Sequence, residues 1–354
     1  MAALQPVRNA AVLRMFRKMH SFGLLERRNS CGYISVIIAH QRLFMKKKQI
    51  THTLILVLAA LIWGFAFVSQ SVGAEYVDAF TFLAVRSWLA VVFLIPVIRT
   101  LDIIREKRGI PTGKPMNRTQ RIVYLTGGLL CGTALFLASA AQQIGIAGTT
   151  TAKAGFITAL YVVLVPVLSV FLGHAPSRRV WVSVLISIVG LYFLCFGGGV
   201  EGLSSGDLMM LLCALLFSVQ ILLVGRFIQF TDGVRLSQVE MLMEAVIATV
   251  CVFLFGHPTA ENLRAALPAL LYAGIMSSGV AYTLQIVGQE DLDPSIASLA
   301  MCLESVFSAL GGWMLLHQKL SGRELFGCVL MFFAIVLCQL PGFKRGQGGS
   351  EEGA

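Results

Sequence analysis

Apolar runs long enough to cross a lipid bilayer recur along nearly the whole 354-residue chain. A helix of roughly 17–25 apolar residues spans the hydrocarbon core of a membrane, which is about 30 Å thick. Only 13% of the residues are charged, whereas soluble domains carry about 25%. The sequence therefore predicts an all-α polytopic membrane protein.

Ten of these runs predict ten transmembrane helices. They are expected at 51–73, 80–98, 122–144, 152–172, 180–196, 208–229, 237–255, 267–287, 295–316 and 324–341. Ten spans place both termini on one side of the membrane. Most of the 28 lysines and arginines precede the first span or lie in connections on that side, which predicts that both termini are cytoplasmic. The connection 288–294 is an exception, because it is assigned to that side yet carries acids and no base.

Weak internal repetition divides the chain into two halves. A shift of 154 residues aligns Trp63 with Phe217 and Arg86 with Glu240, a shift of 146 aligns Gln143 with Gln289, and a shift of 144 aligns Leu160 with Glu304. Shifts that differ by a few residues are expected when loops carry insertions. We therefore predict two five-helix repeats, residues 50–197 and 207–342. An odd number of helices in each repeat inverts one half relative to the other, which is a transporter architecture.

Several stretches in both halves resemble a known family. They are LAALIWGFAFV (58–68), FLAVRSWLA (82–90), AGFITALYVVLVPVLSVFLG (154–173) and ASLAMCLESVFSALGGWMLL (297–316). Over about residues 50–342 the chain resembles the EamA-type transporters of the drug/metabolite transporter superfamily. The resemblance implies a ten-helix carrier of small organic solutes. His174 and Gln318 stand where family members commonly carry glutamate, so no role is transferred from that acid.

The two ends of the chain differ in composition from the spans. Residues 1–49 form a basic extension that we expect to be disordered, and residues 343–354 a disordered tail. Met45 precedes three lysines and the first span, a natural beginning for a cytoplasmic terminus, so we predict that Met45 is the true start. The alternatives are a translated basic tail or a helix lying on the membrane surface.

Arg86 is an unusual residue within an otherwise apolar run. An arginine at the bilayer centre costs about 3 kcal/mol on insertion scales, and Arg86 is about 9 Å deep in its span at 1.5 Å per residue. Its side chain either reaches back to carbonyls or headgroups, or faces a wet cavity and pairs with an acid or attracts a carboxylate. Glu240 and Glu244 begin span seven on one face, and we expect Glu240 to be interfacial.

Glu304 is the strongest candidate for a functional residue. It lies near the middle of span nine, too deep to reach the interface. Ala297, Ala300, Ser308 and Gly311 share its helix face by spacing, and a face of small and polar residues belongs against protein or water. We predict that Glu304 binds substrate, supplies a counter-charge or couples protons; the alternative is a buried structural acid.

Other polar and aromatic side chains recur in the predicted spans and are suited to a solute pocket. The further predicted site residues are Glu244, Trp63, Tyr282, Gln285, Gln143, Tyr161 and Ser308. For each aromatic residue the alternative is packing or an interfacial belt. Seven of the eight cysteines lie singly in the spans, without metal-ligand spacing, so we expect no metal, no cofactor and no catalytic residue.

These features favour a secondary active transporter over other classes. The sequence contains no nucleotide-binding loop and no recognisable catalytic motif, so we expect gradient-driven transport of a metabolite, amino acid or drug-like compound by alternating access across the cell membrane. Proton coupling at Glu304 is one expectation, and solute exchange without protons is the alternative. An integral-membrane enzyme or a receptor is a weaker alternative. Expected partners are the lipid bilayer and a small solute, without nucleic acid, and the protein is expected to be a monomer or homodimer.

Overall fold

The computed structural model describes residues 30–107, 117–148, 151–195, 204–290, 292–316 and 321–339, and every regular element in these ranges is a helix. The chain divides into a unit Met1–Ile50 and a unit Thr51–Ala354. In the first unit the described part is helical from Ser30 onwards, within the segment expected to be a disordered extension. The predicted C-terminal tail lies outside the described residues.

The helices are numbered here in chain order. They are α1 (Ser30–Ala74), α2 (Ala79–Lys107), α3 (Arg118–Ile146), α4 (Thr151–Ala159 and Tyr161–Phe171), α5 (Arg178–Cys195), α6 (Ser205–Phe227), α7 (Gly233–Phe255), α8 (Leu267–Leu271, a π-helical segment Tyr272–Ala281, and Tyr282–Gln289), α9 (Pro294–Met301 and Glu304–Leu316) and α10 (Gly322–Gln339). A short helix, Ala260–Ala265, precedes α8.

The structure confirms a multi-helix membrane protein. Within the described ranges, eight helical stretches are long and apolar enough to cross a membrane. They belong to α1–α4 and α6–α9. The predicted fifth and tenth spans coincide with α5 and α10, of which α10 contains a shorter apolar helix, Leu325–Cys338. The count of ten spans therefore stays a prediction.

Polar side chains define where several helices begin. Asn117 and Gln120 form a reciprocal capping box at the start of α3, and Ser204 and Asp207 form one at the start of α6. The side chain of Asp232 accepts the backbone N–H of Arg235 at the start of α7. Such caps satisfy N–H groups that lack a partner within the helix. Two of these helices, α3 and α6, contribute to the wall of the cavity described below.

Glycines allow α3 to pack closely against α7. A Cβ atom on Gly128 would overlap the side chain of Val239, and one on Gly132 would lie 2.7 Å from the backbone oxygen of Glu240. Small residues permit this close approach between membrane helices.

Helices α2 and α7 run antiparallel along most of their lengths. At one end the rings of Phe80 and Phe255 are 5.9 Å apart. At the other end two ion pairs join the helices, Arg105 with Asp232 at 2.6 Å and Arg235 with Asp102 at 2.7 Å. The shift of 154 residues aligns α2 of the first predicted repeat with α7 of the second. Two corresponding helices of the repeats are therefore packed antiparallel.

Helices α4 and α9 are both interrupted near their middles. The interruption of α4 is at Leu160, and that of α9 is at Cys302 and Leu303. The shift of 144 residues aligns Leu160 with Glu304, so the two interruptions fall at almost equivalent positions. The first part of α4 packs on the second part of α9, and the second part of α4 on the first part of α9. These equivalent helices therefore also cross in opposite directions.

The interruption of α9 corrects the expectation of a continuous helix through Glu304. Glu304 is the first residue of the second helical part instead of a mid-helix residue. The residues predicted to share its face are nevertheless buried, from Ala297 and Ala300 before the interruption to Ser308 and Gly311 after it. Burial of small residues on both parts is what allows α9 to cross α4 closely.

Candidate functional site

A cavity lies among the helices of the unit Thr51–Ala354. Its empty volume is about 440 Å³, including space open to solvent. Residues of α1, α2, α3, α4, α6, α8 and α9 form its wall: Trp63, Phe67, Gln70, Arg86, Gln142, Thr158, Tyr161, Phe217, Ile221, Ser277, Tyr282, Gln285, Met301 and Glu304.

The structure brings most of the predicted site residues to this wall. Glu304, Arg86, Trp63, Tyr282, Gln285 and Tyr161 line the cavity. Three other predicted residues lie behind the wall. Glu244 pairs with Arg86, the Gln143 amide donates to the backbone oxygen of Gln70 at 3.1 Å, and Ser308 is buried against Gly155 of α4.

Arg86 is buried and paired with an acid. Its side chain is 1% exposed and that of Glu244 is 0% exposed, and Arg86 Nη2 lies 3.2 Å from Glu244 Oε1. The same nitrogen donates to the Ser139 hydroxyl at 3.0 Å. This geometry agrees with the alternative in which Arg86 pairs with an acid. It does not agree with the alternative in which the side chain reaches back to the membrane interface. Removing one partner of such a buried pair leaves an uncompensated charge, which is strongly destabilising.

A hydrogen-bonded chain leads from Glu240 to the cavity wall. Gln220 donates its amide to Glu240 Oε1 at 2.7 Å, and Gln285 donates its amide to Gln220 Oε1 at 2.9 Å. Glu240 is fully buried within the protein, and its expected position near the membrane interface stays a prediction. The close contact between α3 and α7 encloses it, as the position of Gly132 shows.

Glu304 occupies the wall immediately after the interruption of α9. Its side chain is 5% exposed, and its Oε1 atom has no hydrogen-bond partner within the structure. No cationic side chain among the described residues pairs with it. The hydroxyl groups of Tyr161 and Thr158, on the same wall, also lack hydrogen-bond partners there. Buried polar atoms without partners are uncommon in folded proteins, and here they share one cavity.

Aromatic side chains dominate the apolar part of the wall. Trp63 and Tyr282 meet edge to face with ring centroids 4.9 Å apart. Phe67, Tyr161 and Phe217 also line the cavity. Such walls bury the apolar body of a ligand while a few polar groups orient it.

Sequence reasoning missed part of the wall. Phe217, Ile221, Ser277 and Met301 line the cavity without having been predicted as site residues. Phe217 carried a usable signal, because it is equivalent to Trp63 under the shift of 154 residues. Ile221 and Met301 carried none, because an apolar side chain in an apolar helix is the same pattern whether it faces lipid, protein or a cavity.

Comparison with known proteins agrees with this architecture. The model of the EamA-like transporter family matches residues 51–196 and 204–339. An uncharacterized transporter of Archaeoglobus fulgidus is 29% identical over 322 residues, which are 89% of this chain and 94% of that relative. The uncharacterized transporter YoaV of Bacillus subtilis is 24% identical over 295 residues, 80% of this chain and 94% of the relative.

A solved crystal structure shares the fold. It matches with a TM-score of 0.63 at 22% sequence identity, covering 82% of this chain and 98% of the other. The family match covers both halves of the chain and most of its length. The chain therefore belongs to the EamA-like transporter family.

Proposed function

We propose that the protein is a secondary active transporter that moves a small organic solute across the cell membrane by alternating access. The observation that carries this proposal is a cavity at the crossing of two interrupted helices, lined by Glu304 and Arg86. Substrate sites of secondary transporters are typically formed at such interruptions, between the repeated halves.

The packing of equivalent helices supports two inverted repeats. Helices α2 and α7 are antiparallel, and α4 and α9 cross in opposite directions with interruptions at almost equivalent positions. In the same way α5 packs on α10, with Gly190 against Met331 and Phe193 against Phe326. Alternating access then requires that the two halves move relative to each other around the cavity.

Proton coupling at Glu304 is the second part of the proposal. An ionised carboxylate on the wall of an empty cavity, without a cationic partner, costs free energy. The cost arises because transfer from water to an apolar environment disfavours the charged form. Binding a proton removes this cost, and so does binding a solute that complements the charge. Glu304 is therefore suited to exchange a proton for solute.

The test uses the full-length protein in sealed proteoliposomes. Uptake of a panel of metabolites and drug-like compounds is measured with and without an imposed pH gradient. We expect at least one solute to accumulate only when the gradient is present. In the variant Glu304→Gln we expect this gradient-driven accumulation to be lost, because glutamine cannot carry the proton.

Glu261→Gln is the matched control, because Glu261 is an exposed acid outside the cavity. It should accumulate solute as the unmodified protein does. Unchanged coupling in Glu304→Gln would reject the role of this residue. Counterflow that is independent of pH in the unmodified protein would favour solute exchange, and the absence of any solute flux would reject the transporter proposal.

A further inference from the structure

The formal charges on the cavity wall do not balance. Arg86 and Glu304 are the charged residues that line it within the described part of the chain. Arg86 is neutralised by Glu244, whose Oε1 atom is 3.2 Å from the Arg86 nitrogen. Glu304 is not neutralised by any described cationic side chain. When Glu304 is ionised, the wall therefore presents one uncompensated negative charge to a ligand that enters the cavity.

The aromatic side chains of the wall also favour a positively charged ligand. Five aromatic side chains line the cavity: Trp63, Phe67, Tyr161, Phe217 and Tyr282. The face of an aromatic ring attracts a cation, and the attraction grows when water is excluded. Rings also bury an apolar body efficiently. An anion gains neither contribution and is repelled by Glu304.

Oxygen acceptors on the wall match the donors of an ammonium group. Glu304 Oε1, Gln70 Oε1 and Gln285 Oε1 are buried and have no hydrogen-bond partner within the described structure, and all three residues line the cavity. An ammonium group carries up to three N–H donors and no acceptor. The buried donors on the wall that lack partners remain for a polar atom on the ligand body or for water; they are Trp63 Nε1, Arg86 Nε and the hydroxyls of Thr158 and Tyr161.

We infer that the solute is an organic cation, a protonated amine attached to an apolar ring system. The inference names the substrate class of the proposed transporter. It rests on the proposed function in treating the bound molecule as a transported solute. Glu304 and the two glutamine oxygens receive the ammonium group, and the aromatic side chains enclose the rings. Arg86 also lines the wall, but its positive charge is neutralised by Glu244.

The first experiment compares probes that differ only in charge. Binding of phenethylamine, phenylethanol and phenylpropionate, and of the corresponding two-ring naphthyl compounds, is measured at pH 7 by isothermal titration to the full-length protein in nanodiscs. We expect each amine to bind about tenfold more tightly than the alcohol of the same ring system, on the scale of one desolvated cation–π contact and an ion pair. The carboxylates should not bind. Amines that bind no better than the matched alcohols overturn the inference.

The second experiment locates the cation. Glu304→Gln should lower the affinity for the amine about tenfold and leave that for the alcohol almost unchanged, whereas the exposed control Glu261→Gln should change neither. Phe217→Leu should weaken amine binding more than alcohol binding, while Phe253→Leu, at a side chain that is 86% exposed, should have no effect. Equal amine affinity in Glu304→Gln and the unmodified protein contradicts the proposed site. If a variant does not fold, the charge series on the unmodified protein decides.

Flux measurements separate this inference from the transport proposal. The same six probes are offered to proteoliposomes. Binding that favours amines without flux of any probe supports the cation site and counts against transport of this class. Flux of alcohols or carboxylates without preference for amines overturns the cation inference and leaves the transport function standing.

Discussion

Arg86 shows how far a single residue can be interpreted before its neighbours are known. Its depth in an apolar run indicates that the side chain needs a partner, but depth alone does not separate a lipid headgroup from an acid. The partner, Glu244, lies 158 residues later in the chain and meets Arg86 only because α2 and α7 pack antiparallel. A contact of this kind depends on tertiary structure and has no local signal.

The buried pair leads to a prediction about stability. Arg86→Met leaves Glu244 buried without its partner, so we expect a loss of about 3–5 kcal/mol of unfolding free energy. The double variant Arg86→Met/Glu244→Met should recover much of this loss, because no charge remains unpaired. Denaturant unfolding of the protein in detergent micelles measures both.

Arg105→Met serves as the control for the same substitution. Arg105 is 35% exposed and its partner Asp232 is 26% exposed, and pairs exposed to solvent contribute at most about 1 kcal/mol. A loss for Arg86→Met as small as that for Arg105→Met would contradict the reading of Arg86 as a buried, paired charge.

At the scale of single helices, position and type could be predicted, but interruptions and the extensions of the first helices beyond their apolar runs could not. The spans α1–α4 and α6–α9 follow from apolar runs of membrane length. The interruption of α4 is at Leu160, six residues before Pro166, the residue that its sequence marks as a helix breaker. The interruption of α9 carries no proline or glycine. Both lie where the two helices cross, a tertiary contact that neither local sequence reveals.

Close helix contacts give a prediction at this scale. Gly132→Ala should destabilise the protein by about 1–3 kcal/mol, because the new Cβ atom would lie 2.7 Å from the Glu240 backbone oxygen. Gly155→Ala is the matched control, since Gly155 is also helical and buried but its nearest neighbours would be 3.8 Å from the Cβ atom. It should be neutral or stabilising, because alanine favours the helix. Thermal unfolding of both variants checks this difference, and equal effects would contradict it.

At the scale of the whole molecule, the two halves and the family could be predicted from sequence, because the same pattern occurs twice. The wall of the cavity could be predicted only in part. Polar residues such as Glu304 and Gln285 signal their position because lipid would not accept them. Apolar wall residues such as Ile221 are indistinguishable in sequence from residues that face lipid.

Orientation is the prediction that belongs to the whole chain. The distribution of basic residues predicts a cytoplasmic C-terminus. A C-terminal fusion to a fluorescent protein that matures only in the cytoplasm should therefore fluoresce, and a fusion at the same position to a phosphatase active only outside should be inactive. The opposite pair of results would invert the topology and place the ion pairs Arg105–Asp232 and Arg235–Asp102 at the outer face.

The π-helical segment of α8 aligns two wall residues that ordinary helical spacing would separate. Five residues of regular α-helix turn the chain by about 500°, which leaves the first and last on different sides of the axis. In α8 the backbone N–H of Tyr282 bonds to the oxygen of Ser277, and both side chains line the cavity. The wider turn stacks them. If this segment tightened to regular α-helical spacing with all its residues kept, the Tyr282 ring would rotate away from Ser277 and from its neighbour Trp63, and the cavity would lose part of its wall.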